Sequence, residues 1–265
     1  MTLLVKGSSA GQKIVEVTPE SARWKYVGFS AFRLKASESI RFDASTREQC
    51  FVVLQGNVTI DIGSMVWREI GTRNSVFDDI SPAAVYLPAG HTVTVTAHCD
   101  AEIAIASAPS SRLELAPRLI KPEDMNRSVR GQGSNTRYIC DILPQTEEAD
   151  SLLVVEVRTP AGHSSSYPPH KHDQDVIPVE SVLEETYYHR LNPSQGFAFQ
   201  RVYTEDRSID ESMAVEDHGV VMVPRGYHPV VMPHGYEGYY LNVMAGPKRQ
   251  WHFKNDPLHE WLIKT

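Results

Sequence analysis

Cysteine is scarce in this chain of 265 residues: Cys50, Cys99 and Cys140 are the whole supply. An odd number without close spacing builds neither a disulfide framework nor a thiolate metal site, so each reads as a small apolar residue and a reducing cytoplasm is the expected setting. Long apolar runs are missing too. None approaches the roughly 18–20 residues that cross a bilayer, and the opening stretch to Gln12 breaks at Lys6 after three apolar positions, so the chain reads as soluble and unexported. Positive charge is in deficit, with 26 Lys+Arg against 33 Asp+Glu and a formal net charge of −7. That balance argues against nucleic acid or an anionic membrane surface as the main partner, since both require a concentrated cationic face.

Helical periodicity is also sparse. What recurs instead is period-two alternation and short β-branched runs, which predict strands at 51–60, 92–97, 103–106, 152–157, 186–190, 197–203, 220–223 and 239–244. Thr92-Val93-Thr94-Val95-Thr96 is the plainest alternation, one polar face and one apolar. Turn clusters such as Pro88-Ala89-Gly90 and Pro224-Arg225-Gly226 punctuate the runs. Many short strands with regular punctuation predict an all-β sandwich or jelly-roll barrel rather than a parallel sheet with crossover helices.

The pattern repeats. Val85-Tyr86-Leu87-Pro88-Ala89-Gly90-His91 corresponds in style to Val221-Met222-Val223-Pro224-Arg225-Gly226-Tyr227-His228, and the strand opened by Glu48 parallels the one opened by Glu185. Two tandem barrels of one kind are therefore expected, residues 1–115 and 116–265, with the seam between Ala108 and Met125 where prolines interrupt the strands.

Most of the eleven histidines fall in the second half. In an extended Tyr167-Pro168-Pro169-His170-Lys171-His172, residues two apart project to one side, so His170 and His172 can present both imidazoles to one ion while Lys171 points away. His228, after its Pro-x-Gly turn, is a third donor. A carboxylate completes the set. Glu184 and Glu185 must face opposite sides of their strand, and Glu185, sharing its face with Tyr187 and His189, is the choice, with Glu184 and Glu180 as fallbacks. Three imidazoles and one carboxylate suit a single divalent transition metal: Zn2+ is placed first, with Mn2+, Fe2+, Co2+ and Ni2+ as alternatives.

These residues resemble a known superfamily. Gly162, His170, His172, Glu185 and Gly196 look like the first cupin motif, and Pro224, Gly226 and His228 like the second. The segments Ser165 to Asp173 and Tyr239 to Pro247, with Arg249, Trp251, Asp256-Pro257 and His259-Glu260-Trp261, are similar to the 5-deoxy-glucuronate isomerase family of myo-inositol catabolism, and the likeness covers essentially the whole chain. It implies a bicupin. Seven residues separate Gly162 from His170 and twelve separate His172 from Glu185, both longer than the usual motif, so a loop inserted at about 173–181 is expected. No His-x-His precedes Glu48, so the first barrel is expected to lack a metal and His91 to be structural.

The resemblance implies an aldose–ketose isomerisation of a small sugar acid, 5-deoxy-D-glucuronate to 5-dehydro-2-deoxy-D-gluconate, by proton or hydride movement. Tyr187, Tyr240 and His189 are the candidates for proton transfer or hydroxyl contact, and Arg225 and Arg249 for the substrate carboxylate, because guanidinium binds carboxylate with two bonds. Trp251, Trp261 and His259 are expected to fasten the C-terminal tail. An iron-dependent dioxygenase and a non-catalytic sugar-binding barrel are the competing classes, and a homodimer is the default assembly.

Overall fold

The structure, a computed structural model, describes residues 2–112 and 114–264. Strand accounts for 49% of the chain and helix for 5%, so the molecule is all-β. The Cα positions cluster into two compact units, neither of them a continuous half of the chain: one comprises Ser8–Asn126 and Asp141–Val154, the other the segments up to Gly7, Arg127–Cys140 and everything from Val155 onward.

The first unit pairs a six-stranded sheet (Arg118–Ile120, Ala83–Leu87, Arg47–Gln55, Ala101–Pro109, Gly28–Leu34, Lys13–Val17) with a four-stranded one (Ser39–Phe42, Val93–Ala97, Val58–Asp61, Val66–Ile70). Its core lies between them. Phe32, Phe51, Val53 and Ile105 of one sheet meet Val58, Ile60, Val93 and Val95 of the other, each side chain worth about 1.5–3 kcal/mol on burial. The alternation in Val93–Ala97 is realised: Val93, Val95 and Ala97 are buried while Thr94 and Thr96 face outward. Where one strand over 51–60 is expected, the structure has two, Arg47–Gln55 and Val58–Asp61. The break is at Gly56, whose φ of +83° and whose backbone, so close to Ala101 that a Cβ would stand 2.8 Å from its Cα, admit glycine alone.

The second unit holds most of a seven-stranded sheet, in order Leu4–Val5, Val220–Val223, Glu184–Asn192, Glu237–Ala245, Leu153–Thr159, Arg137–Leu143, Asn126–Arg130, of which the last three have their ends in the first unit's segments, and a smaller sheet, Ser164–Ser165, Val230–Val231, Phe197–Tyr203, Asp210–Glu216. The long central strands are buried on both faces along most of their length: Glu237–Ala245 is accordingly mostly apolar, whereas Glu184–Asn192 carries polar Glu185, Thr186 and His189 into the interior. Two short additions matter for the site. His170–Lys171 pairs with Lys254–Asn255, and the insertion expected at 173–181 is a hairpin of Asp173–Val176 against Glu180–Val182. Both units are layered sheets, and among the described residues none of their sheets closes on itself.

Glu48 opens a central strand of the first unit and is fully buried. Its carboxylate accepts the N–H groups of Asp150 (2.8 Å), Ser151 (2.6 Å) and Leu152 (2.6 Å) and the Tyr86 hydroxyl (2.6 Å). Burial and this bond push the Tyr86 phenol well above its ordinary range. Glu48→Gln is expected to lower stability by about 1.5–3 kcal/mol, the scale of hydrogen bonds to a charged group, visible as a lower urea midpoint. An unchanged midpoint would contradict the assignment.

Candidate functional site

The strand Glu184–Asn192 lies between Val220–Val223 and Glu237–Ala245, so its side chains are held from both edges. Alternation sends Glu185 and Tyr187 to one face, where both line a cavity of about 1070 Å³, while Glu184 takes the other. Glu185 Oε2 is the focal atom. His172 Nε2 lies 3.0 Å from it and His228 Nε2 3.3 Å.

The imidazole tautomers follow from their other nitrogens. His172 Nδ1 faces the Leu183 carbonyl at 3.0 Å and His228 Nδ1 faces the Gly226 carbonyl at 2.8 Å. A carbonyl only accepts, so each Nδ1 carries hydrogen and each Nε2 of a neutral ring holds a lone pair. Two imidazole nitrogens thus face one carboxylate oxygen, an arrangement that a bound cation would satisfy. His228 Nε2 has no hydrogen-bond partner, and the three donor atoms lie within 4.8 Å of one another. Among the described residues this is the one compact His/Cys/Asp/Glu group of its kind. The donor set fits a divalent transition metal.

His170 stands beside this group rather than within it. Its ring centroid is 4.8 Å from that of His228 and 6.5 Å from that of His172, and its Nδ1 is 3.4 Å from the Pro168 carbonyl, the same orientation held more loosely. Burial pushes His170 and His228 down to about 3, the neighbouring His172 adding to the effect at His170. At His172 burial also disfavours charge, but the Glu185 carboxylate outweighs it and holds the imidazole above its usual value.

Lys171 points away from the ligands, as alternation requires, yet not into solvent. Its ammonium is buried against Asp173 Oδ1 (2.6 Å) and Glu180 Oε1 (3.0 Å). Asp173 Oδ2 in turn accepts the Gly226 N–H at 2.8 Å, so one buried ion network ties the histidine strand to the turn carrying His228. Glu180 is thereby committed to Lys171 and not to the ligand group.

Tyr187 and Tyr240 form the adjoining wall, their rings 4.9 Å apart. Ser166 Oγ bridges their hydroxyls at 3.0 and 3.2 Å, and Ser165 Oγ bonds the Tyr240 hydroxyl as well. Burial raises both phenols above their ordinary range, so they keep their protons. His189 packs beneath them, 6.1 and 5.7 Å from the two rings, bonds Gln200 Oε1 at 2.8 Å, and is pushed down to about 4 by burial. It is not on the cavity wall.

Neither Arg225 nor Arg249 lines the cavity; Arg225 is exposed and donates to Ser208 at 3.0 Å. The cations that do line it are Arg130 and Arg137, from a segment the sequence pattern left unremarked because nothing local distinguishes them from surface arginines. Trp251 and Phe253 also line it, with the Phe253 ring 4.7 Å from His170, so this stretch of the tail is cavity wall as well as fastening.

Lys171→Met leaves the Asp173 and Glu180 carboxylates buried without their cation, and a loss of about 3–5 kcal/mol in thermal unfolding is expected. Burial opposes the charge of Asp173, but Lys171 outweighs it and holds the carboxyl below its ordinary value. Its contribution is therefore present above the unfolded-state pKa and lost as pH falls through the lower folded value, so the wild type should lose stability on acidification more steeply than the variant. Equal slopes would contradict the network.

The chain has extensive relatives. The profile of the KduI/IolB family matches residues 3–262. The 5-deoxy-glucuronate isomerase of Geobacillus kaustophilus is 52% identical over 252 residues, covering 95% of this chain and 91% of the relative. The crystal structure of an IolB-like protein from Salmonella typhimurium superposes with a TM-score of 0.97 at 48% identity, covering 99% of this chain and all of that one (100%). Lactobacillus farciminis oxalate decarboxylase, at 13% identity and a TM-score of 0.68 over 100% of this chain and 91% of its own, shares the fold alone. The architecture is all-β and cupin-like.

Proposed function

The chain belongs to the KduI/IolB family, and on that premise we propose that it is an aldose–ketose isomerase that converts 5-deoxy-D-glucuronate to 5-dehydro-2-deoxy-D-gluconate in myo-inositol catabolism. The observation that carries the reading is the convergence of His172 and His228 lone pairs on one buried Glu185 oxygen at a large cavity, in a chain about half identical to named isomerases. His172, Glu185 and His228 would hold a divalent metal, Zn2+ first among the alternatives, with His170 at their side as a fourth donor. When bound, the metal supplies Lewis-acid polarisation of the sugar oxygens. In this reading the two units are tandem cupin barrels and only the one carrying these residues binds metal.

The remaining chemistry falls to the protein's hydroxyls. Moving the carbonyl from C1 to C2 requires O1 to gain a proton and O2 to lose one, whether the carbon-bound hydrogen travels as proton or hydride. The Tyr187–Ser166–Tyr240 chain joins two proton-bearing phenols through one serine hydroxyl. A relay of this kind can deliver a proton at one oxygen while accepting one from the other. Its raised phenols favour donation over acting as a resting base. His189 acts through the tyrosines as a positioning residue, holding their rings from below. Apolar wall residues such as Val155, Val157 and Phe253 exclude water from the sugar.

Ketone formation from 5-deoxy-glucuronate is the direct test. Metal-replete protein should turn over without oxygen uptake, and chelation should abolish turnover. His172→Ala and His228→Ala are expected to weaken metal affinity by more than the roughly 10–100-fold that loss of an outer partner costs, measured by competition with a chromogenic chelator. Tyr187→Phe and Tyr240→Phe should keep their metal while kcat falls by about 100-fold or more. Oxygen consumption, or full activity in the histidine variants, would overturn the proposal.

A further inference from the structure

The cavity wall carries positive charge that the ligand group does not explain. Arg130 and Arg137 both line it, and Glu185, which faces His172 and His228, is the only carboxylate among its described lining residues. In a chain of net charge −7 this local excess runs against composition. Among the described residues neither arginine forms an ion pair with an acid. Arg137 Nη1 donates to the Asn135 carbonyl at 3.1 Å and to Asn135 Oδ1 at 3.2 Å, both neutral acceptors.

The local structure is built around the Arg137 guanidinium. Arg137 opens the strand Arg137–Leu143, and the preceding turn folds back over it. At Gly131, φ is +74° and a Cβ would stand 2.8 Å from Arg137 Nη1 and also collide with the Asn135 carbonyl, so the turn admits glycine alone. The side chain is half-buried, and desolvation lowers its pKa from the ordinary guanidinium value. A partly desolvated guanidinium without an acidic partner is stabilised when an anion arrives.

We propose that Arg137, assisted by Arg130, is the carboxylate-binding subsite of this cavity and sets its preference for sugar acids over neutral sugars. The identity of the sugar rests on the isomerase reading; the anion preference rests on the two unpaired arginines. In 5-deoxy-glucuronate the carboxylate terminates the carbon chain opposite the reacting carbonyl, so it needs a cation of its own. Planar guanidinium supplies two parallel bonds to it. Arg225 and Arg249, off the cavity wall, do not occupy this role.

The test uses the C1-reduced form of 5-deoxy-glucuronate, which cannot isomerise, and its methyl ester, which keeps the skeleton and loses the charge. Both are titrated calorimetrically into zinc-loaded wild type, Arg137→Met and Arg130→Met, while wild-type turnover of 5-deoxy-glucuronate is followed separately. The wild type should bind the acid about 10–100-fold more tightly than the ester, the range of a charge-assisted pair. Arg137→Met should erase that preference with ester affinity held within about twofold, and Arg130→Met should erase a smaller part. The subsite is overturned if the wild type shows no preference, if both variants retain the wild-type preference, or if Arg137→Met weakens acid and ester alike while Arg130→Met changes nothing. Preference for the acid without any turnover would support the subsite and count against the isomerase reading.

Discussion

One carboxylate oxygen organises the site. Glu185 Oε2 is buried and faces the Nε2 atoms of His172 and His228 at 3.0 and 3.3 Å, while backbone carbonyls hold the opposite nitrogens protonated. Burying two imidazoles against a carboxylate costs stability, and a positive charge among them offsets that cost. The surrounding elements hold that arrangement in place. A nine-residue central strand fixes Glu185 from both edges, and the Lys171–Asp173–Gly226 network fixes the histidine strand to the histidine turn.

The other unit offers an instructive contrast. Glu48 opens its central strand much as Glu185 does, and it too is buried. There the carboxylate is saturated by three backbone N–H groups and a phenol, all of them donors. Donor hydrogens satisfy an anion by themselves; imidazole lone pairs do not. The same residue type in a similar strand position is therefore saturated by donors in one unit and faced by imidazole nitrogens in the other, and the neighbours decide which.

Beside the ligand group the cavity divides its labour among chemically distinct walls. Phenols kept protonated by burial stand on one side, apolar side chains from the sheet and the tail on another, and two arginines without acidic partners among the described residues supply positive charge. A small, polyhydroxylated anion is the ligand class complementary to all of these at once. The isomerase reading and the carboxylate subsite draw on different walls of the same cavity and are thus separable.

Much of this was legible in the chain before folding. Alternation gave strands close to Val93–Ala97, Phe197–Tyr203 and Val220–Val223, because a half-buried pleat writes its two faces directly into the residue order. The same rule chose Glu185 over Glu184 and turned Lys171 away from the histidines. The break at Gly56 was not legible, since it depends on the approach of Ala101, distant in the chain. Nor was the buried destination of Lys171, the loose placement of His170, or the presence of Arg137 rather than Arg225 or Arg249 on the cavity wall. Sequence determines what a side chain can do and which face it takes, for those are local and periodic; convergence of groups separated by dozens of residues, and the loss of water around them, exist only once the sheets have packed.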